Sequence, residues 1–355
     1  MNGPEGWRSA LLAWYDAGHR LLPWRPAPGE GAERVDPYLV LVSEAMLQQT
    51  QVATVVGYFG RFVERFPTVE ALAEADEQAV LTAWQGLGYY RRARNLHAAA
   101  RAIVAEHGGR VPDDADDLLD LPGVGRYTAG AVASIAYDQR APIVDGNVAR
   151  VFARLTHLTE PIDQRDAQRR LWELAGNYAN GRRPGDANQA LMELGATVCT
   201  PKTPHCLTCP LRKSCRGVRE TNPETLPVKS PKRRPTEVTH RVLAIRDADD
   251  RYLFTRRPDT GLWSGMWQLP TREDGPPGVA WAKSSLGVAI TRPRSLKALP
   301  EFTHATTHRR ITFAVDVASR KGKPAAEQTW RALDELDDLP LPNPQRKIVA
   351  ALREA

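Results

Sequence analysis

No run of about 18 apolar residues occurs in this chain, which leaves no segment able to cross a membrane as a helix. The opening residues, MNGPEGWRSA, lack the apolar core of a secretory signal. Cysteine is absent outside Cys199 to Cys215, so there is no disulfide framework spread over the fold. No internal repeat is evident, and the first 220 residues show no alternating strand pattern. These absences lead us to expect an intracellular, cytoplasmic protein with no membrane partner. The 355 residues are long enough for two domains. The net charge of +6 permits an anionic partner without requiring one.

What is present is organised around Leu121-Pro122-Gly123-Val124-Gly125-Arg126-Tyr127-Thr128. Pro122 cannot continue a preceding helix, and Gly123 and Gly125 permit positive φ and close backbone approach. The small apolar run from Thr128 to Tyr137 then reads as a tightly packed helix. Free amides at such a helix start suit a phosphate. A Gly-x-Gly turn alone is a weak signal. A second turn, Val144-Asp145-Gly146-Asn147, adds one carboxylate.

Helical patterns run through Trp7–Ala17, Tyr38–Leu47, Gln51–Phe66, Glu77–Trp84, Leu96–His107, Val148–Thr156, Asp166–Tyr178 and Asn188–Thr197. Residues 26–35 read as a polar loop. Glu44 lies inside the apolar run at Tyr38–Leu47. A single Glu usually sits on a helix surface. Burying one unpaired costs several kcal/mol, so apolar neighbours point to a use. Gly86-Leu87-Gly88-Tyr89-Tyr90-Arg91-Arg92 is a Gly-rich turn whose aromatics and arginines suit either nucleic acid or an ordinary solvated helix face.

The four cysteines fall as C-x6-C-x2-C-x5-C: Cys199, Cys206, Cys209 and Cys215. Four thiolates suit zinc or an iron–sulfur cluster. Zinc ribbons commonly carry two C-x2-C knuckles, and here there is one, which favours iron–sulfur. Pro223, Pro227, Pro231 and Pro235, interleaved with Lys229, Lys232, Arg233 and Arg234, read as an extended basic linker. Beyond it, Val242–Ile245, Tyr252–Thr255 and Ile311–Val317 read as strands, and Trp281–Leu286 and Pro344–Glu354 as helices.

Together, the Leu121–Gly125 turn, Asp145, the cysteine spacing, Ser43-Glu44-Ala45-Met46-Leu47-Gln48-Gln49-Thr50 and Gly86–Tyr90 resemble the helix-hairpin-helix DNA glycosylases that carry an iron–sulfur cluster. Within them, the chain is similar to the adenine-specific enzymes with a MutT-like C-terminal domain. The resemblance implies a mainly α N-terminal part (a six-helix barrel plus cluster domain) and an α+β C-terminal domain. The expected boundaries are 1–220 for the glycosylase with its cluster loop at 199–215, 221–238 for the linker, and 239–355 for an 8-oxoguanine recognition domain.

It also implies a monofunctional, monomeric, nucleoid-associated glycosylase that removes adenine paired with 8-oxoguanine or guanine in duplex DNA. Glu44 is then the general acid, Asp145 the carboxylate facing the sugar cation, and Tyr127 and Asn147 their orienting neighbours. Trp24 and Arg25 match residues near the adenine pocket; a helix-end packing pair is the plainer alternative. Gln49 and Tyr89 match residues that wedge into the stack, Thr50 and Leu87 contacts to the opposing base, and Gly123 and Gly125 a phosphate cradle. Cys199, Cys206, Cys209 and Cys215 match ligands of a 4Fe-4S cluster, with Lys202 and His205 in a basic loop beside it. Endonuclease III-like relatives carry a lysine nucleophile where this chain has Tyr127, which argues against strand cleavage. The C-terminal region lacks the acidic box of a MutT-like hydrolase. The family's Phe-Ser-His reader is replaced by Thr306-Thr307-His308, which keeps a hydroxyl at Thr307 and the imidazole of His308. The competing readings are a bifunctional pyrimidine glycosylase-lyase, a non-catalytic DNA-binding protein and a nucleotide pyrophosphatase.

Overall fold

A computed structural model describes residues 3–25, 34–231, 234–273, 275, 279–291, 298–320 and 328–354. Most of the expected polar loop, together with Lys232, Arg233 and Asp274, lies outside them. The chain divides into two units, one built from 1–75 and 92–231, the other from 76–91 and 232–355.

The first unit is helical: α1 (Pro4–Gly18), α2 (Pro37–Leu47), α3 (Val52–Arg65), α4 (Val69–Glu74), then, beyond the excursion of α5 (Glu77–Ala83), α6 (Arg91–His107), α7 (Ala115–Asp120), α8 (Arg126–Tyr137), α9 (Gly146–Thr156), α10 (Arg165–Ala179), α11 (Pro184–Thr197) and α12 (Arg216–Glu220). Local chemistry explains the starts. Asp36 accepts from the Tyr38 amide with Pro37 at the first helical position, Thr68 from the Ala71 amide, and Asp114 from the Asp116 and Asp117 amides. The last pair starts α7, a helix too short for its period to show in sequence. With α8 it forms the hairpin around Leu121–Gly125.

Three glycines let their helices pack closely on neighbouring segments. A Cβ on Gly130 of α8 would lie 2.2 Å from the Pro142 carbonyl oxygen. One on Gly185 of α11 would lie 2.3 Å from the Ser134 carbonyl oxygen, and one on Gly195 would lie 2.8 Å from Asn147 Cβ. α11 therefore packs directly on both α8 and α9, the helices that carry Tyr127 and Asp145.

The stretch expected to be a free linker is partly folded. Leu226 is buried, Arg154 Nε donates to its carbonyl (3.0 Å), the Ile162 amide donates to Val228 (3.0 Å), and the Ser230 amide donates to Asp163 (2.9 Å). The segment still runs extended at Leu226 (φ −110°, ψ 146°), and apolar burial there with these backbone bonds docks it against the helical unit.

The second unit holds a mixed sheet of β1 (Thr236–Arg246), β2 (Tyr252–Arg256), β3 (Trp267–Gln268), β4 (Thr271–Glu273), β5 (Ile290–Thr291), β6 (Ala298–Ala305), β7 (Arg309–Arg320) and β8 (Thr329–Arg331), with helices α13 (Val279–Leu286) and α14 (Asn343–Arg353). β1 pairs in parallel with β7 and antiparallel with β2 and β4. Its period of two sends Val242 and Ala244 to one face, packed with Ile348 and Leu352 of α14. Leu243 and Ile245 go to the other, packed with Ala282 of α13. The short strands β3, β4, β5 and β8 have too few residues to show a period. The segment 76–91 belongs here: Tyr90 donates to the Leu341 carbonyl (3.3 Å), and the Leu341 amide donates to Gln85 (3.2 Å).

Candidate active site

α2 is apolar nearly all round and is buried from Val40 to Met46, which is why it carries Glu44 to 4% exposure. Glu44 lines a cavity with Trp24, Arg25, Tyr127, Gln189 and Met192. Burial pushes the Glu44 carboxyl up to about 7; the Tyr127 hydroxyl and Arg25 pull it down, and the Asp145 carboxylate pushes it up. Tyr127, one residue into α8, donates to Met192 Sδ at 3.2 Å. Burial, Glu44 and Asp145 all raise its hydroxyl well above the ordinary phenol range, so it stays a neutral donor.

Asp145 caps α9. Its Oδ1 accepts from the Val148 amide at 2.7 Å and its Oδ2 from Asn147 Nδ2 at 3.1 Å. Burial raises its carboxyl above the ordinary aspartate value despite those bonds and the nearby Arg150. Asp145 and Asn147 are not among the residues lining the Glu44 cavity. The Asp145 charge nonetheless acts on both Glu44 and Tyr127. The two acids thus share one electrostatic environment and one tyrosine. Arg150 ties this corner down, donating to Asn147 Oδ1 (2.8 Å) and to the carbonyls of Gly195 (2.7 Å) and Cys199 (2.8 Å).

Trp24 and Arg25 both lie at the cavity. Trp24 is buried edge-on to Phe59, and Arg25 is paired with Glu193 at 2.9 Å. Sequence reasoning missed Glu193 and Arg20. Glu193 is 2% exposed on its side chain and accepts from Arg20 Nε and Nη2 at 2.7 and 2.9 Å. Burial alone would raise the Glu193 carboxyl, but Arg20 and Arg25 together hold it below its usual value. Gln189, one turn before Glu193, is 3% exposed, and its Nε2 has no hydrogen-bond partner among the described residues. No local signal marked Glu193 and Gln189, because α11 also carries Asp186 and Asn188 and the pair does not stand out in its sequence.

The hairpin turn behaves as expected at Gly123. It has φ +74°, and a Cβ there would overlap Asn95. Gly125 differs: its φ is −98°, and it serves as the N-cap of α8 without a side chain. The first helical bond runs from the Ala129 amide to Gly125, so the amides of residues 126 to 128 precede the ladder. Gln49 and Thr50 occupy the turn between α2 and α3, where Gln49 is exposed with φ 56°. Leu87 and Tyr89 sit in the second unit's segment, Leu87 buried and Tyr89 half exposed with φ 49°. Thr307 and His308 lie exposed at the tip of the β6–β7 hairpin. That tip is closed by Thr306, which bonds the Arg309 backbone through its amide (2.8 Å) and its hydroxyl (3.0 Å).

All four cysteines line a second hollow in the first unit, walled by Val151, Leu155, Leu194 and Val198. Buried Arg154 reaches in, donating to Cys199 Sγ at 3.3 Å and to the Thr200 and Pro201 carbonyls at 2.7 and 2.9 Å. Among the described residues no three His, Cys, Asp or Glu side chains converge on a point that one metal ion would fill. The cysteines surround a space instead. Four soft donors, a buried cation and apolar walls suit an anionic, sulfur-rich group.

Residues 42–177 match the HhH-GPD superfamily base excision DNA repair protein family, and residues 241–351 match the NUDIX domain. The chain is 35% identical over an aligned length of 402 residues to an adenine DNA glycosylase of Rattus norvegicus, covering 98% of this chain and 78% of that protein. It is 30% identical over 343 residues to one of Buchnera aphidicola, covering 96% of each. Among solved structures, a thermostable thymine-DNA glycosylase superposes with a TM-score of 0.53 at 29% identity, over 61% of this chain and 97% of that one. By its fold, its paired acids and this similarity over nearly its whole length, the chain belongs to the adenine DNA glycosylase family.

Proposed function

We propose that this protein is a monofunctional glycosylase that hydrolyses the N-glycosidic bond of adenine opposite 8-oxoguanine or guanine in duplex DNA. The observation that carries the reading is Glu44, a carboxyl pushed up to about 7 in a cavity walled by Trp24 and Tyr127, with the charge of a second acid, Asp145, acting on it. Such a group holds a proton near neutrality and gives it up readily.

The adenine leaves the stack, at a cost of about a few kcal/mol, and enters the cavity. Gln49 and Tyr89 fill the gap, and Thr50 and Leu87 contact the opposing base. Gln189 offers an unpartnered N–H donor to the edge of the base. Glu44 gives its proton to adenine N7 as the bond from C1′ to N9 breaks, and the bonding pair leaves with the base. The sugar cation is stabilised by the Asp145 carboxylate. A water held by Asn147 and Tyr127 adds at C1′, and its proton leaves to a carboxylate. No lysine stands at position 127, so the abasic strand is not cut. The amides at the start of α8, beside Gly123 and Gly125, hold a phosphate. Thr307 and His308 read the opposing lesion.

Cys199, Cys206, Cys209 and Cys215 hold a 4Fe-4S cluster, with Arg154 offsetting its negative charge. When bound, such a cluster supplies a rigid, charged anchor for the basic Cys199–Cys206 loop. The hydrolysis itself moves no electrons between groups. Single-turnover assays on duplexes with adenine opposite 8-oxoguanine, G, C or T, followed by alkali, test the reading. Alkali-labile sites only opposite 8-oxoguanine and G support it. Strand breaks without alkali, or no release of adenine, overturn it.

A further inference from the structure

Arg92, near the start of α6, is buried, and its guanidinium closes the end of α2. Its Nη1 donates to the carbonyls of Ala45 (3.0 Å), Met46 (2.7 Å) and Gln48 (2.6 Å), and its Nη2 donates to Thr50 Oγ1 at 3.1 Å. α2 has no basic residue in its own last turn, so Arg92 takes up carbonyls that the helix leaves unpaired and puts a cation at its negative end. The turn it holds is strained. Gln49 lies between the two clamped positions with φ 56°, a region that a non-glycine residue occupies at a cost. Strain of this kind persists only where the surroundings over-determine it, and Arg92 bonds the residue on each side.

We infer that Arg92 is a positioning residue that holds the Gln48–Thr50 turn in the conformation that presents Gln49 to the DNA stack, and so governs base extrusion rather than bond cleavage. The inference rests on the wedge role proposed above for Gln49. The planar fork spans carbonyls and hydroxyl at once; the single ammonium of a lysine keeps the charge but does not span them.

The test compares single-turnover excision of two adenines opposite 8-oxoguanine. One is flanked by paired bases, and the other by mismatches on both sides that make unstacking easy. Arg92→Met is expected to slow the paired-flank substrate about 10–100-fold and the mismatch-flanked one by less than about threefold. A 2-aminopurine at the target position should lose its extrusion fluorescence in step. The alkaline limb of the pH profile should not move, because Glu44 on the same helix keeps its surroundings. Arg92→Lys should fall between wild type and Arg92→Met, and it carries the same comparison if the methionine variant melts below the assay temperature. Equal losses on both substrates, or no loss on either, overturn the inference. Wild-type protein that releases adenine from neither duplex overturns the proposed function itself, and this inference with it.

Discussion

The raised carboxyl of Glu44 makes a quantitative prediction about pH. The acid must be protonated to act. With its value near 7, the protonated fraction falls about tenfold between pH 6 and pH 8. The single-turnover rate on adenine opposite 8-oxoguanine should fall by the same factor over that window. On the acid side the rate should drop as Asp145 takes up a proton, above the ordinary aspartate range, because burial raises that carboxyl too. The same group has a stability signature of fixed sign. Between 4.5 and about 7 the native state holds a proton that the unfolded chain has already released. Stability from this site is therefore full below pH 4.5 and is lost as pH rises to 7, by about 3 kcal/mol in all. Glu44→Gln removes the titration. It should cost about 10²–10⁴-fold in rate. Its denaturant-derived stability should also no longer share the wild-type decline between pH 5 and 7. A wild-type rate that is flat from pH 6 to 8, or a glutamine variant that keeps both the rate and the decline, would refute the assignment of Glu44 as a buried acid.

Asp145→Asn should abolish detectable base release, while binding to DNA with a non-cleavable adenine analogue stays within about threefold of wild type by gel shift. Arg154→Met strips the cysteine hollow of its buried cation and leaves the Thr200, Pro201 and Leu226 carbonyls without their donor; purified protein should lose iron content and visible absorbance. Gly130→Ala places a methyl against the Pro142 carbonyl, and thermal melting should show a loss of roughly 2 kcal/mol or more. Thr307→Ala should lower the preference for 8-oxoguanine over guanine opposite adenine, read as a ratio of rates, and leave the rate opposite guanine unchanged.

The residues that were legible in the sequence are those whose chemistry is out of place in their local pattern. Glu44 in an apolar helix, two glycines before a run of small residues, and four cysteines in one short stretch each stand against their surroundings. Arg20 and Glu193 were not legible, because each looks like an ordinary surface charge and only the packing of α11 against α1 shows that they meet. The short strands β3, β4, β5 and β8 carry too little periodicity to be seen, since long-range pairing rather than local preference makes them strands. The prolines at 223 to 231 signalled an extended segment but not its docking, for the related reason that the contacts of Leu226 and Val228 are tertiary.

The excursion of residues 76–91 has a consequence for how the protein is divided. Gln78, Gln85, Gly86 and Tyr90 find partners at Gly265, Leu341 and Asn343, all more than half the chain away in sequence. Leu87 and Tyr89 ride on that excursion, so the early turn and the late hairpin bearing Thr307 and His308 are parts of one body. A protease cut in the basic segment would sever the backbone once yet leave that body still sewn to the helical one by both ends of a loop. Any transplant of the late domain onto another scaffold has to carry this early stitch with it.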